Sequence, residues 1–246
     1  MAGKEYYEGR DMESNVILHT HLIECLKFET IEVRGENSTK GDVVGVVAGV
    51  ETPISIKHGS QKNTQVHLPT LRSFAKAMNT PNSITAMLEQ WLGVVNQTQF
   101  EGWLNGKTPT RLQKKYKRLF AEDIPNWDNV VKWFNDNRKT LAELLIQAMN
   151  GEKPAKYLVW VNKQKKSYQV VDIQTLVDWI ATDCVWVTGP RNGGSTLRCE
   201  YKGKPIFHLQ MKGSGGVGDE YNHNPQFHIH THWPEKAIIH QGVLEA

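Results

Sequence analysis

Between residues 12 and 29 the apolar positions recur with helical spacing. Ile17, Leu18, His21, Leu22, Cys25, Leu26 and Phe28 fall on one broad face at about 100° per residue. This predicts an amphipathic helix, with Glu24 at the border of the face and Glu13 near the same edge. A turn-rich stretch, ENSTKG, follows. Residues 42–48 (DVVGVVA) and 54–58 (ISIKH) have the make-up of strands, and the intervening GVETP carries turn residues. A β-hairpin closing around Gly49-Val50 is expected there. From 68 to 151 the pattern is helical, with Leu68, Leu71, Phe74, Ala75 and Met78 at helical spacing. Ser83 is placed to cap a helix through Leu88 and Trp91, and Asn126 one through Val130 and Phe134. A further helix from Leu141 to Met149 should stop at Asn150-Gly151. The last hundred residues change to strands at 157–161, 168–171, 185–187, 196–201, 205–212 and 226–233, with Asp172 capping a short helix between the second and third. No internal repeat and no linker interrupts this order, so the expectation is one domain over residues 1–246, of mixed α/β or α+β class.

Composition adds exclusions. The 246 residues are 39% hydrophobic and 22% charged, which rules out disordered, collagen-like and coiled-coil classes. No apolar run approaches the roughly 18–20 residues of a membrane span, and MAGKEYYEGRDMESN lacks a signal core. Cys25, Cys184 and Cys199 are odd in number and have no CxxC spacing, which argues against a disulfide scaffold and for a reducing cytoplasm. The net charge of +3 is small, but the charges are segregated. No acid lies between Glu51 and Glu89, a stretch holding Lys57, Lys62, Arg72 and Lys76. A second basic cluster joins Lys107, Arg111, Lys114, Lys115, Lys117 and Arg118, and others lie at 153–166 and 191–212. This distribution points to a polyanionic partner.

Within the hairpin, Ser55 and Lys57 share a strand face, while Ile54 and Ile56 face the other way. With closure at Gly49-Val50, Asp42 lies opposite Lys57 and Val44 opposite Ser55, so Asp42, Ser55 and Lys57 project together. A carboxylate at a strand start can hold a hard divalent cation, and a neighbouring ammonium can position water and screen charge on a phosphoryl group. A plain surface ion pair between Asp42 and Lys57 is the bland alternative.

This pattern resembles the PD-(D/E)XK nuclease superfamily, in particular Type II restriction endonucleases. The match is Asp42 with Ser55-Ile56-Lys57, and Glu24 stands in the position of the family's helix acid. The chain departs from the motif at Ser55, where an acid is expected; Glu24, Glu51 or a backbone carbonyl would have to substitute. The resemblance implies a central mixed β-sheet flanked by helices, with catalytic helix and hairpin at about 12–67, a helical middle at about 68–151 and a DNA-contacting part at about 156–246. It also implies Mg2+-dependent hydrolysis of double-stranded DNA by a homodimer, with Asp42 and Glu24 on the metal, and neither a membrane nor a nucleotide cofactor involved. The glycine run GSGGVG matches no phosphate-loop motif, in keeping with the last point.

Other residues suit DNA contact. His58, Ser60, Gln61, Lys62, Asn63 and Gln65 form a donor-dense run, and Lys114, Lys115 and Lys117 are basic. His208, Gln210 and Lys212 share a strand face, as do His228, His230 and His232. Glu200 with Gln210 and Lys212 is an alternative catalytic set of the same type. The three alternating histidines also admit a transition metal, although the outer two lie about 13 Å apart at about 3.3 Å per residue. A non-catalytic nucleic-acid-binding protein is the remaining alternative. Trp103 and Trp233, beside loop residues, are the tryptophans expected to meet a base or partner.

Overall fold

The helical face found in the sequence forms α1 (Val16–Leu26), which starts where the Asn15 side chain accepts the Leu18 N–H. It ends at Lys27 in the left-handed conformation. The computed structural model describes residues 15–33, 42–59, 63–67, 70–93, 96–146, 154–190, 193–211 and 225–244, with the backbone alone for 63–67 and 211. These residues divide into two compact units, neither of which is a single stretch of sequence.

The first unit comprises residues up to 64, 142–182 and 230–246. It contains α1, β1 (Thr30–Val33), β2 (Val43–Val47), β3 (Val50–Gly59), β5 (Tyr157–Asn162), β6 (Ser167–Asp172), α8 (Ile173–Asp183) and β11 (Ile238–Val243). The strands make one six-stranded sheet in the order β1-β2-β3-β5-β6-β11. Only β3 and β5 pair in parallel, so the sheet is mixed. Leu18 and Leu22 of α1 pack with Val43, Ile54, Ile56, Val159, Val161, Tyr168 and Val170 in one buried cluster. These strand residues share one parity and therefore one sheet face. Phe28 also lies on that face, directly over Gly45, where any larger residue would meet the ring. Asp172 caps α8 as expected, accepting from the Thr175 N–H at 2.8 Å.

The hairpin register differs from the sequence expectation. Val47 pairs with Val50, and the connection is the two residues Ala48 and Gly49, both at positive φ. A two-residue turn of that kind matches the twist of its strands. Pairing then runs Val43 to Ile54 and Val44 to Pro53, which sets Asp42 opposite Ser55 rather than opposite Lys57.

The second unit comprises residues 65–141 and 183–229. Its helices are α2 (Leu71–Ala77), α3 (Asn82–Leu92), α4 (Gln97–Leu104), α5 (Arg111–Tyr116) and α6 (Asp128–Asp136); α7 (Arg138–Ile146) begins in it. Two expected caps are corrected. Helix α3 begins at Asn82 behind Pro81, so Ser83 lies inside it, and α6 begins behind Trp127 rather than at Asn126. Asn126 instead takes positive φ in the preceding turn. The sheet of this unit runs β4 (Asn63–His67), β10 (Pro225–His230), β9 (Lys204–Met211), β8 (Thr196–Tyr201) and β7 (Val185–Thr188), with β4 entering from the chain just before it. The whole is a mixed α/β structure in which a six-stranded mixed sheet has helices beside it. Among the described residues no helix is long and apolar enough to cross a membrane.

Candidate active site

On the face of the six-stranded sheet opposite α1, the side chains of Ser55 and Lys57 and one backbone N–H of β3 converge on a single carboxylate oxygen of Asp42. Asp42 stands just before β2, tied to β3 by its own N–H donating to the Ile54 carbonyl at 2.9 Å. Its Oδ2 accepts from the Ser55 hydroxyl at 3.2 Å, the Ile56 backbone N–H at 2.5 Å and the Lys57 ammonium at 3.3 Å. The strand period of two explains the grouping: Ser55 lies across from Asp42, and Lys57 is two residues further on the same side. Ser55 is buried, whereas the side chains of Asp42 and Lys57 keep 25% and 21% of their exposure. A buried hydroxyl thus fixes a carboxylate and an ammonium that a ligand can still reach. Asp42 Oδ1 takes none of these three donors, which leaves one oxygen for a cation. Mg2+ suits so sparse a donor set, because it keeps several waters and takes one or two carboxylates together with substrate phosphate.

Removing the buried hydroxyl tests the arrangement locally. On the nuclease expectation drawn from the sequence, Ser55→Ala leaves two of the three donors on Oδ2, so a cleavage rate about five- to tenfold lower is expected, from the loss of about 1 kcal/mol of hydrogen bonding. Single-turnover kinetics would read this, and an unchanged rate would show that Ser55 is only a packing residue.

The other candidate residues sit as follows. Glu24 is exposed on α1, the helix that packs against the opposite sheet face, and its charge acts on Cys25 and Tyr168. Glu51 pairs with Val46 at the turn end of the hairpin, four residues from Ser55. His58 shares parity with Ile54 and Ile56 and so faces away from Lys57. Burial, then the charges of Lys163 and Lys57, hold its imidazole below the ordinary histidine range. Ser60, Gln61, Lys62 and Lys212 lie outside the described residues; Asn63 and Gln65 are in β4, described by backbone alone.

In the second unit Lys114 and Lys115 are exposed in the last turn of α5, with Lys117 at its C-terminal cap. Arg118 leaves the basic cluster. It is buried, its guanidinium lies over the rings of Trp91 and Phe120 at 5.1 and 5.2 Å, and it donates to the Ser195 carbonyl. Burial lowers its pKa to about 10. Glu200 is not brought to Gln210: it pairs with Pro205, five residues from Gln210 along β9, and forms an ion pair with Arg198 at 3.5 Å. Gln210 instead faces Gln226 at 3.3 Å and His228 at 3.4 Å. His208 and His228 are cross-strand partners with rings stacked at 4.5 Å. Burial lowers the His228 pKa, which suits a stack that would repel if both rings were charged.

The strand β10 ends at His230, whose buried ring stacks on His232 beyond it at 6.0 Å. Among the described residues, no group of three or more His, Cys, Asp or Glu is placed to hold a metal ion. Trp233, expected at a partner surface, is 7% exposed and packs edge-on against Trp160. Sequence reading overlooked a polar row beside Lys57, made of Trp160, Gln169 and Gln241 on successive strands. The only signal was the amide-rich spacing of Asn162, Gln169 and Gln241.

No family model matches the chain, and no curated protein matches it. Among solved structures the chain is similar to the crystal structure of restriction endonuclease MspI in complex with its cognate DNA. The two are 12% identical, with a TM-score of 0.44, over 85% of this chain and 76% of that one.

Proposed function

We propose that the chain is a Mg2+-dependent endonuclease acting on double-stranded DNA in the manner of a Type II restriction enzyme. The observation that carries this is the convergence of Ser55, the Ile56 N–H and Lys57 on Asp42 at the start of β2. In this reading Asp42 Oδ1 would hold the metal, and Mg2+ there would supply a more acidic bound water and offset charge on a phosphoryl oxygen. Ser55 and the Ile56 N–H hold the carboxylate's orientation. Lys57, tethered to the same carboxylate, donates to the attacking water and to a non-bridging phosphate oxygen as negative charge builds on it. Within the second unit, Lys114, Lys115 and Lys117 of the α5 end, and His208, Gln210 and His228 on β9 and β10, are the residues assigned to duplex contact in this reading. A two-fold dimer matches a palindromic target, and light scattering of the protein–DNA complex reads that stoichiometry.

The test is incubation with plasmid DNA of varied sequence, with Mg2+ and with a chelator. Discrete fragments with Mg2+ and intact plasmid with chelator are expected. Salt-sensitive binding without any scission would sink the catalytic reading in favour of a DNA-binding protein. Because α1 packs on the far sheet face, Glu24→Gln should change the cleavage rate less than about threefold, the range of a weak exposed charge effect. A drop of a hundredfold or more would put Glu24 in the metal shell after all.

A further inference from the structure

On the same sheet face as Asp42, Ser55 and Lys57, a cleft of about 430 Å3 opens beside the lysine. Its floor is two cross-strand rows, Trp160, Gln169 and Gln241 in one and Asn162, Ser167 and Val243 in the other, which continue across the sheet from Lys57 and Gly59 of β3. At about 4.8 Å per strand, Gln169 lies about 10 Å and Gln241 about 14 Å from the lysine strand. Among the described residues no Asp or Glu lines the cleft, and Lys165 brings a positive charge to it.

Internal hydrogen bonds decide which way the amides point. Trp233 Nε1–H donates to Gln169 Oε1 at 3.2 Å, and Gln169 Nε2 donates to Gln241 Oε1 at 3.4 Å. The chain of donors ends on the Gln241 oxygen, and its amide nitrogen takes no part in this chain. Asn162 repeats the pattern: its Oδ1 accepts the Lys165 backbone N–H at 3.0 Å, and its Nδ2 takes no part in that bond. Both amide oxygens are used within the protein, and the cleft presents N–H groups beside a lysine. A cleft of donors without a carboxylate selects an acceptor-rich, anionic group.

We propose that this cleft binds a phosphodiester group of the DNA strand flanking the scissile one, with the amide N–H groups of Gln241 and Asn162 donating to its non-bridging oxygens. The inference rests on the nuclease reading and extends it: a remote phosphate held here would register the strand against Asp42 and Lys57. Trp233, through Gln169, acts as a positioning residue for Gln241.

The experiment uses the full chain in Ca2+ and a labelled duplex bearing the sequence that it cuts or, without cutting, the sequence it selects from a random pool. Single methylphosphonate linkages, which remove one phosphate charge each, are scanned along the duplex by fluorescence anisotropy. Wild type should lose about tenfold in affinity at one or two linkages, in the range of one charged hydrogen bond. Gln241→Met should bind the unmodified duplex about five- to tenfold more weakly and lose nothing further at those linkages. Gln241 is exposed on an edge strand, so the variant is expected to fold, and Gln241→Lys should restore affinity. An unchanged methylphosphonate profile in Gln241→Met overturns this inference alone, as does a change of base preference in place of that insensitivity. Wild type that binds no duplex overturns the nuclease reading and this inference with it.

Discussion

Lys57→Met should lower the rate of DNA cleavage by about 10²–10³-fold while leaving duplex affinity in Ca2+ within about threefold, since removing one preorganised donor to a developing oxyanion costs about that much. The reasoning starts from burial. Lys57 is mostly enclosed and is held against Asp42 Oδ2 and the Ile56 carbonyl, so it is neither a mobile surface charge nor a lone cation searching for phosphate. Methionine keeps the length and the apolar stem beside Trp160, its register partner on the neighbouring strand, so the lost quantity is the ammonium. Asp42→Asn should cost about as much or more, because the neutral amide attracts a divalent cation weakly. The Lys57→Met, Asp42→Asn double variant should be no slower than the slower single one, within about fivefold, since groups that act as one unit are not additive. Single-turnover rates at saturating protein read all three. Additive losses would show that the two residues act separately, and a full rate in Lys57→Met would reduce the pair to a structural ion pair.

The candidate site was readable from sequence because period-two alternation is insensitive to some errors. Asp42, Ser55 and Lys57 share a face whether Asp42 opposes Lys57 or Ser55, since the two registers differ by an even number of residues. The register itself was not readable. Pro53 and Thr52 have turn composition yet lie within β3, where Pro53 offers its carbonyl to the Lys156 N–H. The actual turn uses Ala48 at positive φ, a conformation its side chain does not advertise. Helix α1 was legible through Leu18 and Leu22, and the cap at Asp172 through its residue type.

What sequence patterning missed depends on partners distant in the chain. Strand β11 follows no clear alternation and is fixed by pairing with β6, some seventy residues earlier. Strand β1, with mostly exposed residues, has no apolar periodicity to read. Arg118 belongs to a basic run by composition, but Leu119 and Phe120 next to it and Trp91 on α3 draw it inward. The same logic covers Trp233, whose neighbours in sequence are polar and whose neighbours in space are Trp160 and Gln169. Functional surfaces assembled from several strands, such as the amide row beside Lys57, are therefore the features least available to a linear reading.

Phe134→Ala should destabilise the second unit by about 3–5 kcal/mol, the usual cost of emptying a buried aromatic site. Phe134, on α6, is fully buried and stands at the centre of an aromatic group. Its ring is edge-on to Trp186 of β7 at 5.0 Å and to Trp133 at 5.2 Å, and stacks with Phe74 of α2 at 6.3 Å. Phe74 in turn contacts Phe227 of β10 at 5.4 Å. Three separate elements thus meet on one ring, and such stiff neighbours close poorly over a void. The nearby Lys132→Ala, which removes only an exposed pair with Asp136, should change stability by less than about 0.5 kcal/mol. Urea unfolding followed by tryptophan fluorescence reads both, because Trp186 and Trp133 report on this core. Under the proposed function, Phe227 lies one residue before His228, a candidate duplex contact, so loosening this core should weaken duplex binding. A Phe134→Ala protein with wild-type unfolding midpoint would show that the aromatic group is not what holds the helices of this unit to its sheet.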